Sequence, residues 1–266
     1  MRQDLIEIND LSRYFGGVHA LERFDLRVQD GEISGLIGPN GAGKTTFFNV
    51  VSGFLGATQG NIFFQGKAIT RMPIHARAKL GIRRTFQNLQ LFRQMTALQN
   101  VMIGLHGSTQ AEVFGAILRN SRQRREEAWI LEQALQTIDF VGLSEEIDVL
   151  ASALPYGHMR LLEIARAMVS KPKLLMLDEP AAGLNTTETI ALGNLIKRIN
   201  TNGVTIILVD HRMDLVMNIC EKVTVLNYGE KLAEGLPKEI QENTKVIEAY
   251  LGGSSVIVQE GTHAKN

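Results

Sequence analysis

The stretch from Ile33 to Val51 constrains this chain more than any other. Ile33 to Ile37 is a short apolar run ending at glycine, the pattern of a buried strand. Gly38 to Thr45 then reads Gly-Pro-Asn-Gly-Ala-Gly-Lys-Thr and fits G-x-x-x-x-G-K-S/T at every fixed position. The segment after Thr45 runs as a helix, with Phe47, Phe48, Val50 and Val51 available to a sheet. Strand, glycine loop and helix in that order make a phosphate site. Gly38, Gly41 and Gly43 let successive N–H groups face an anion, and the helix N-terminus adds its dipole. Pro39, Asn40 and Ala42 fill the positions between them. Lys44 brings a full positive charge to the β- and γ-phosphates, the Thr45 hydroxyl ligates Mg²⁺, and Thr46 reaches the α-phosphate side.

The totals remove several other classes. A chain of 266 residues can bury a sizeable core in one large or two modest domains. Lys and Arg together number 28, as do Asp and Glu, so the net charge of zero argues against a nucleic-acid partner or an anionic membrane surface. Cys220 is the one cysteine, which excludes an intrachain disulfide and, with a nucleotide site, points to the cytosol. The start, Met1-Arg2-Gln3-Asp4, has no apolar signal region. No apolar run reaches the length of about 18 residues that a membrane span needs. If the chain serves a membrane process, partner chains hold the pore.

Taken in order, Leu5 to Ile8 alternates as a half-buried strand, and Leu11 to Gly17 reads as a turn-rich stretch containing Tyr14 and Phe15. Either aromatic could stack on an adenine ring, or pack in a core. Phe24 to Val28 and Asn61 to Gln65 are further strands. Gln87 follows Arg83-Arg84-Thr85-Phe86 at the end of a strand, where a glutamine can hold a water or Mg²⁺ near a γ-phosphate. From residue 88 to 157 helical spacing takes over, anchored by Ile117, Trp129, Leu131, Leu135 and Ile138. The basic cluster Arg119, Arg122, Arg124 and Arg125 precedes Glu126 and Glu127 and reads as a solvated helix face. Leu154-Pro155-Tyr156-Gly157-His158 leads into a helix over Met159 to Met168. Leu174 to Asp178 is a buried strand ending in a carboxylate, at the edge where open α/β sheets bind ligands. Asp178 can hold Mg²⁺ through water, and Glu179 can take a proton from an attacking water. Val204 to Val209 ends in Asp210-His211, which places His211 at a strand edge within reach of a γ-phosphate. Val223 to Leu226 and Lys231-Leu232 form a hairpin around Tyr228-Gly229, Pro237 to Leu251 a final helix, and residues 252–266 a mobile tail. Cys220, among Val216, Met217 and Ile219, reads as a core thiol.

The order of these motifs resembles the ATP-binding subunits of ABC transporters over nearly the whole chain. The resemblance implies an α/β fold: a P-loop NTPase, RecA-like core with an antiparallel β subdomain and an inserted α-helical subdomain. The core comprises 1–87 and 158–251, and the insert 88–157. Gly38 to Thr45 is similar to the Walker A motif, Gln87 to the Q-loop glutamine, and Leu154 to His158 to the family signature. Leu174 to Asp178 resembles Walker B, Glu179 the catalytic carboxylate, Ala181 to Asn185 the D-loop, and His211 the switch histidine. Phe15 matches the adenine-stacking aromatic. On this basis Leu154, Tyr156, Gly157 and His158 join the ATP site, Thr45, Gln87 and Asp178 hold Mg²⁺, and Lys44, Gln87, Glu179 and His211 are catalytic. Three positions depart from the wider family: Pro155 stands for Ser, His158 for Gln, and Asn185 for Asp.

Arg84-Thr85-Phe86-Gln87, Leu91-Phe92-Arg93-Gln94-Met95-Thr96, Tyr156-Gly157 and Ala181-Ala182-Gly183-Leu184-Asn185 are similar to the hydrophobic, branched-chain amino-acid uptake group. The implied protein is an ATPase that energises import, sits on the cytoplasmic face of the bacterial inner membrane, and uses ATP and Mg²⁺. Its implied partners are permease subunits, a second ATP-binding subunit paired head to tail as a homo- or heterodimer, and a periplasmic solute-binding protein reached through the permease. Urea and short-chain amide importers share much of the pattern. A soluble ABC ATPase of translation or repair would bring two cassettes or a coiled coil, an export ATPase a Ser-Gly-Gly signature, and a plain P-loop kinase would leave His158 to Arg166 and His211 without a role.

Overall fold

The computed structural model describes residues 3–106 and 121–255. It divides into two compact units, one of Met1–Met72 with Thr205–Asn266 and one of Pro73–Val204.

The first unit carries two sheets. In one, β1 (Asp4–Phe15), β2 (Val18–Gln29), β4 (Gln59–Phe64) and β5 (Lys67–Ala68) pair antiparallel in the order β2-β1-β4-β5. In the other, β3 (Ile33–Ile37) lies parallel to both β8 (Thr205–Val209) and β9 (Lys222–Asn227), and β9 turns back antiparallel into β10 (Glu230–Gly235). β3 and β8 are buried at every position, as strands covered on both faces must be. Helix α1 (Lys44–Ser52) buries Phe47, Phe48, Val50 and Val51, and Phe47 meets Phe24 of β2 edge-on at 5.3 Å between centroids. The thiol of Cys220 is buried beside Gly35, where an added Cβ would come within 3.0 Å of its sulfur.

Two sequence expectations are corrected here. Leu11 to Phe15 is strand and not turn, and only Gly16-Gly17 breaks the hairpin. The register of β1 against β2 shifts between Ile8 and Leu11 and again around Arg13, and Asp10 adopts a φ of 54°. These bulges break the two-residue alternation that would have marked the strand. The final helix is two helices, α8 (Pro237–Glu242) and α9 (Thr244–Ser255). Asn243 between them is extended, and its side chain accepts the Lys245 N–H, so it caps a new helix instead of continuing the old one. The mobile tail expected over 252–266 begins within α9, and 256–266 lie outside the described residues.

The second unit holds α2 (Ile74–Lys79), the parallel pair β6 (Ile82–Arg84) and β7 (Leu174–Asp178), and helices α3 (Ala97–His106), α4 (Ser121–Val141), α5 (Tyr156–Met168) and α6 (Thr186–Thr201). Ala97, Val101 and Leu105 of α3, Ile130, Ala134 and Ile138 of α4, and Leu162 and Ala165 of α5 are its buried helical stripes, at the spacing that puts apolar residues on one face. Trp129, Leu131 and Leu135, expected as anchors, are exposed instead, because Ile130, Ala134 and Ile138 take the inward face of α4. Ile117 and Arg119 lie outside the described residues. Helix α5 starts three residues earlier than expected, at Tyr156, because Pro155 serves as its N-cap residue.

Candidate functional site

The glycine loop leaves β3 at Gly38 and enters α1 at Lys44. Gly43 is left-handed, and a Cβ on it would meet the Ala20 carbonyl oxygen at 2.3 Å, so only glycine lets the loop lie against β2. Gly41, with φ of 78°, faces open space, which leaves a cradle that a side chain would fill. The Gly229 N–H, at the β9–β10 turn, donates to Ala42 O and pins the loop from below. Lys44 Nζ donates to Gly38 O at 2.6 Å and to Pro39 O at 2.9 Å, so the ammonium sits inside the loop. Asn40, Gly41 and Thr45 are exposed, while Thr46 is half-buried. An open cradle of backbone N–H groups, a buried cation and an exposed hydroxyl fit the phosphates of a nucleotide.

In the same unit, Phe15 ends β1 with its ring 43% exposed and the Arg13 guanidinium 4.6 Å over one face. Tyr14 is used otherwise: its ring stacks on His19 at 4.3 Å and its hydroxyl donates to Glu22. Phe15 is therefore the aromatic with a face to offer. His211 is exposed just beyond β8, beside the buried Asp210, which accepts the Arg212 N–H.

The second unit gathers the remaining candidates. Gln87 Nε2 donates to Glu179 Oε2 at 3.0 Å. Glu179 has a φ of 47°, a left-handed conformation costing about 1–3 kcal/mol for a residue with a side chain, of the kind found concentrated at working sites. Asp178 closes β7 with its carboxylate against Arg84, Oδ2 to Nη2 at 2.9 Å. Burial pushes the Asp178 carboxyl up from its ordinary value, Arg84 opposes that, and Glu179 adds to it.

Behind them lies Arg160, fully buried on the first turns of α5. Its guanidinium donates to Phe86 O, Gln87 O, the Tyr156 hydroxyl and Glu163 Oε2. Glu163 Oε1 in turn accepts the Phe86 N–H. Burial raises the Glu163 carboxyl, with Arg160 working against it. One ion pair thus ties Gln87 to the helix opened by Leu154–His158. Tyr156 reaches Gly183, where a Cβ would meet its ring at 2.8 Å, so the stretches expected as signature and D-loop touch within one chain. Asn185 caps α6 in a reciprocal box with Glu188. His158 Nδ1 lies 2.9 Å from Glu146 Oε1. Leu154 is buried, and Tyr156 is exposed over nearly half its surface.

Sequence reading missed Arg84, Arg160, Glu163 and Arg13. The Arg-x-x-Glu spacing inside the apolar stripe of α5 was the available signal, since a charged i,i+3 pair on a buried face must be satisfied there. Among the described residues no group of three or more His, Cys, Asp or Glu is placed to hold a metal ion. A magnesium ion would take oxygens from phosphates and from one carboxylate, the donor set this cation favours beside nucleotides, and Asp178 fits as that carboxylate.

A family model described as ABC transporter matches residues 21–182, and one described as Branched-chain amino acid ATP-binding cassette transporter matches 230–255. The chain is 43% identical over 253 residues to the high-affinity branched-chain amino acid transport ATP-binding protein LivG of Salmonella typhimurium, covering 95% of this chain and 99% of that one. It is 41% identical, with the same coverage, to the high-affinity branched-chain amino acid transport ATP-binding protein BraF of Pseudomonas aeruginosa. Among solved structures it is similar to a nucleotide-free ATP-binding cassette from an ABC transporter, with a TM-score of 0.82 and 32% identity, covering 93% of this chain and 99% of that chain.

Proposed function

The chain belongs to the ABC transporter family of ATP-binding cassettes, and from that premise we propose that it is the ATP-hydrolysing subunit of an importer for branched-chain, hydrophobic amino acids. The observation that carries this reading is likeness over 95% of the chain to two such ATP-binding proteins, together with the branched-chain match at 230–255.

In this reading ATP binds with its phosphates on Gly38–Thr46 and its adenine on Phe15. Thr45, Gln87 and Asp178 are the magnesium-holding residues, and the ion supplies neutralising charge to the phosphates when bound. Lys44 exchanges its loop carbonyls for phosphate oxygens. Glu179 accepts a proton from the water that attacks the γ-phosphorus, and His211 stabilises the charge that develops. A second ATP-binding subunit, a copy or a related chain, supplies Leu154–His158 to the same nucleotide. Pro155 has no hydroxyl, so Gly157 N–H and the start of α5 take over anion contact. Nucleotide favours the closed pair because it binds that state better than the open one.

Permease subunits would dock on the second unit. A cavity of about 500 Å³ there is lined by Arg83, Leu91, Phe92, Ile103, Glu163 and Arg166 among others, with the Arg166 guanidinium 5.7 Å over the Phe92 ring. It adjoins the Gln87 segment, which supports a role for 88–107 in passing motion to the permease. No described helix is long and apolar enough to cross a membrane. A peripheral place at the cytoplasmic face of the inner membrane, with a periplasmic binding protein on the far side of the permease, follows from this proposal.

The test is uptake of labelled leucine in cells carrying the normal chain or Lys44→Ala, with unlabelled isoleucine, valine, urea and acetamide as competitors. Uptake should collapse in the variant, and only branched-chain residues should compete. Leucine uptake untouched by Lys44→Ala would remove the amino-acid assignment and leave urea or amide import as the reading to pursue.

A further inference from the structure

Asp178 already has a cation. Its carboxylate and the Arg84 guanidinium lie 2.9 Å apart, with 5% and 6% of their side chains exposed. The surroundings hold both in place. The Thr85 N–H donates to Met176 O, and the Asp178 N–H donates to Thr85 Oγ1, which stitches the ends of β6 and β7 together beside the pair. The Arg84 guanidinium also lies over the Phe86 ring at 4.7 Å, fixing its plane. The other charged groups that act on Asp178 are Glu179 and Arg160. Arg160 is held by Glu163, and Glu179 has the wrong sign, so Arg84 is the counter-charge.

A buried carboxylate without a cation is strongly disfavoured, and a guanidinium keeps its charge at any physiological pH. A divalent ion and a guanidinium compete for the single negative charge of this carboxylate, whichever of its two oxygens each one faces. Free magnesium would also find no group of three or more His, Cys, Asp or Glu placed to hold it among the described residues. Magnesium carried by a triphosphate arrives with most of its oxygen ligands already bound.

We infer that Arg84 is a positioning residue that holds the Asp178 charge in the nucleotide-free chain and yields it only to magnesium delivered with nucleotide. The pair makes the site blind to free divalent cation and selective for the metal–nucleotide complex. This rests on the proposed reading of Asp178 as a magnesium-holding residue.

The test is titration of the purified, nucleotide-free full chain with Mn²⁺ alone, followed by the loss of the free-ion signal in electron paramagnetic resonance. The normal chain should bind Mn²⁺ weakly. Arg84→Gln should bind it at least tenfold more tightly, and Asp178→Asn added to that variant should abolish the gain. A folded Arg84→Gln chain with unchanged Mn²⁺ affinity overturns the inference. Should Arg84→Gln not fold, Arg84→Lys decides: a point charge without the planar fork should compete less well, giving a severalfold gain, and no gain overturns the inference equally. Binding of ATP with Mg²⁺ by the normal chain, measured by equilibrium dialysis, separates the two readings. Absence of ATP binding would remove the nucleotide function, whereas the Mn²⁺ comparison reports on Arg84 alone.

Discussion

The Gln87 side-chain amide donates to Glu179 Oε2 across 3.0 Å, so the carboxylate proposed as general base is held by the segment beside the cavity proposed to receive the permease. Opening that hydrogen bond would release the Glu179 carboxylate from Gln87. Glu179→Gln keeps the side-chain shape and removes the proton acceptor. Phosphate release should fall by about 10²–10⁴-fold, the range a positioned base supplies. ATP binding should survive, and gel filtration with ATP should show a persistent nucleotide-bound pair. Rapid turnover by this variant would remove Glu179 from the chemistry.

Gly183 has a φ of 79°, and a Cβ there would sit 2.8 Å from the Tyr156 ring. Gly183→Ala should lower stability by about 1–2 kcal/mol from the left-handed backbone alone, with the ring contact adding to it. Adding Tyr156→Ala should restore the ring part and not the backbone part. Urea midpoints of the single and double variants measure the split. Equal midpoints for Gly183→Ala and the normal chain would mean that the loop leaves both the ring and the left-handed conformation at little cost.

Arg160 and Glu163 are 0% and 2% exposed, and each satisfies the other. Arg160→Met leaves a buried carboxylate without its counter-charge and should destabilise by about 3–5 kcal/mol. Arg160→Met with Glu163→Leu should recover most of that loss. ATPase activity of the double variant should nevertheless stay low if it folds, because Phe86 O, Gln87 O and the Phe86 N–H lose the partners that join them to α5.

Burial pushes the Cys220 thiol from its ordinary 9.0 up to about 12. The folded chain therefore keeps the neutral thiol at pH values where the unfolded chain has ionised it. Stability from this group is fully present below about pH 9 and is lost as pH rises from there toward about 12. Iodoacetamide at pH 8.5 should modify the native chain far more slowly than the chain in guanidinium chloride. Mass spectrometry of timed samples checks this, and equal rates would place the sulfur at the surface.

The residues proposed to face ligand are the ones most legible in sequence. Gly43, Lys44 and Asp178 stand where a strand runs out, and the loss of apolar pattern at a strand end is a local event that spacing reveals. Arg160 and Arg84 were not legible as partners, because what they satisfy lies elsewhere in the chain: Arg160 is bound to Gln87, and Arg84 to Asp178, 94 positions away. Strand β1 was cut short in the reading because bulges at Asp10 and Arg13 erase alternation while leaving the ladder in place. Asn185 departs from the aspartate common in the wider family. In the fold it is the cap of α6, a position where the two side chains rank about equally.

The hydrogen bonds from Lys44 to its own loop carbonyls bear on the thermodynamics of ligand capture. A loop whose ammonium is already anchored has surrendered its conformational freedom during folding, so little ordering is left for the moment of binding. Affinity then depends on how far charged phosphate oxygens outcompete two neutral carbonyls for the same ammonium. A site ordered in advance loses little entropy each time it fills, which suits a protein that must take up fresh nucleotide once in every cycle.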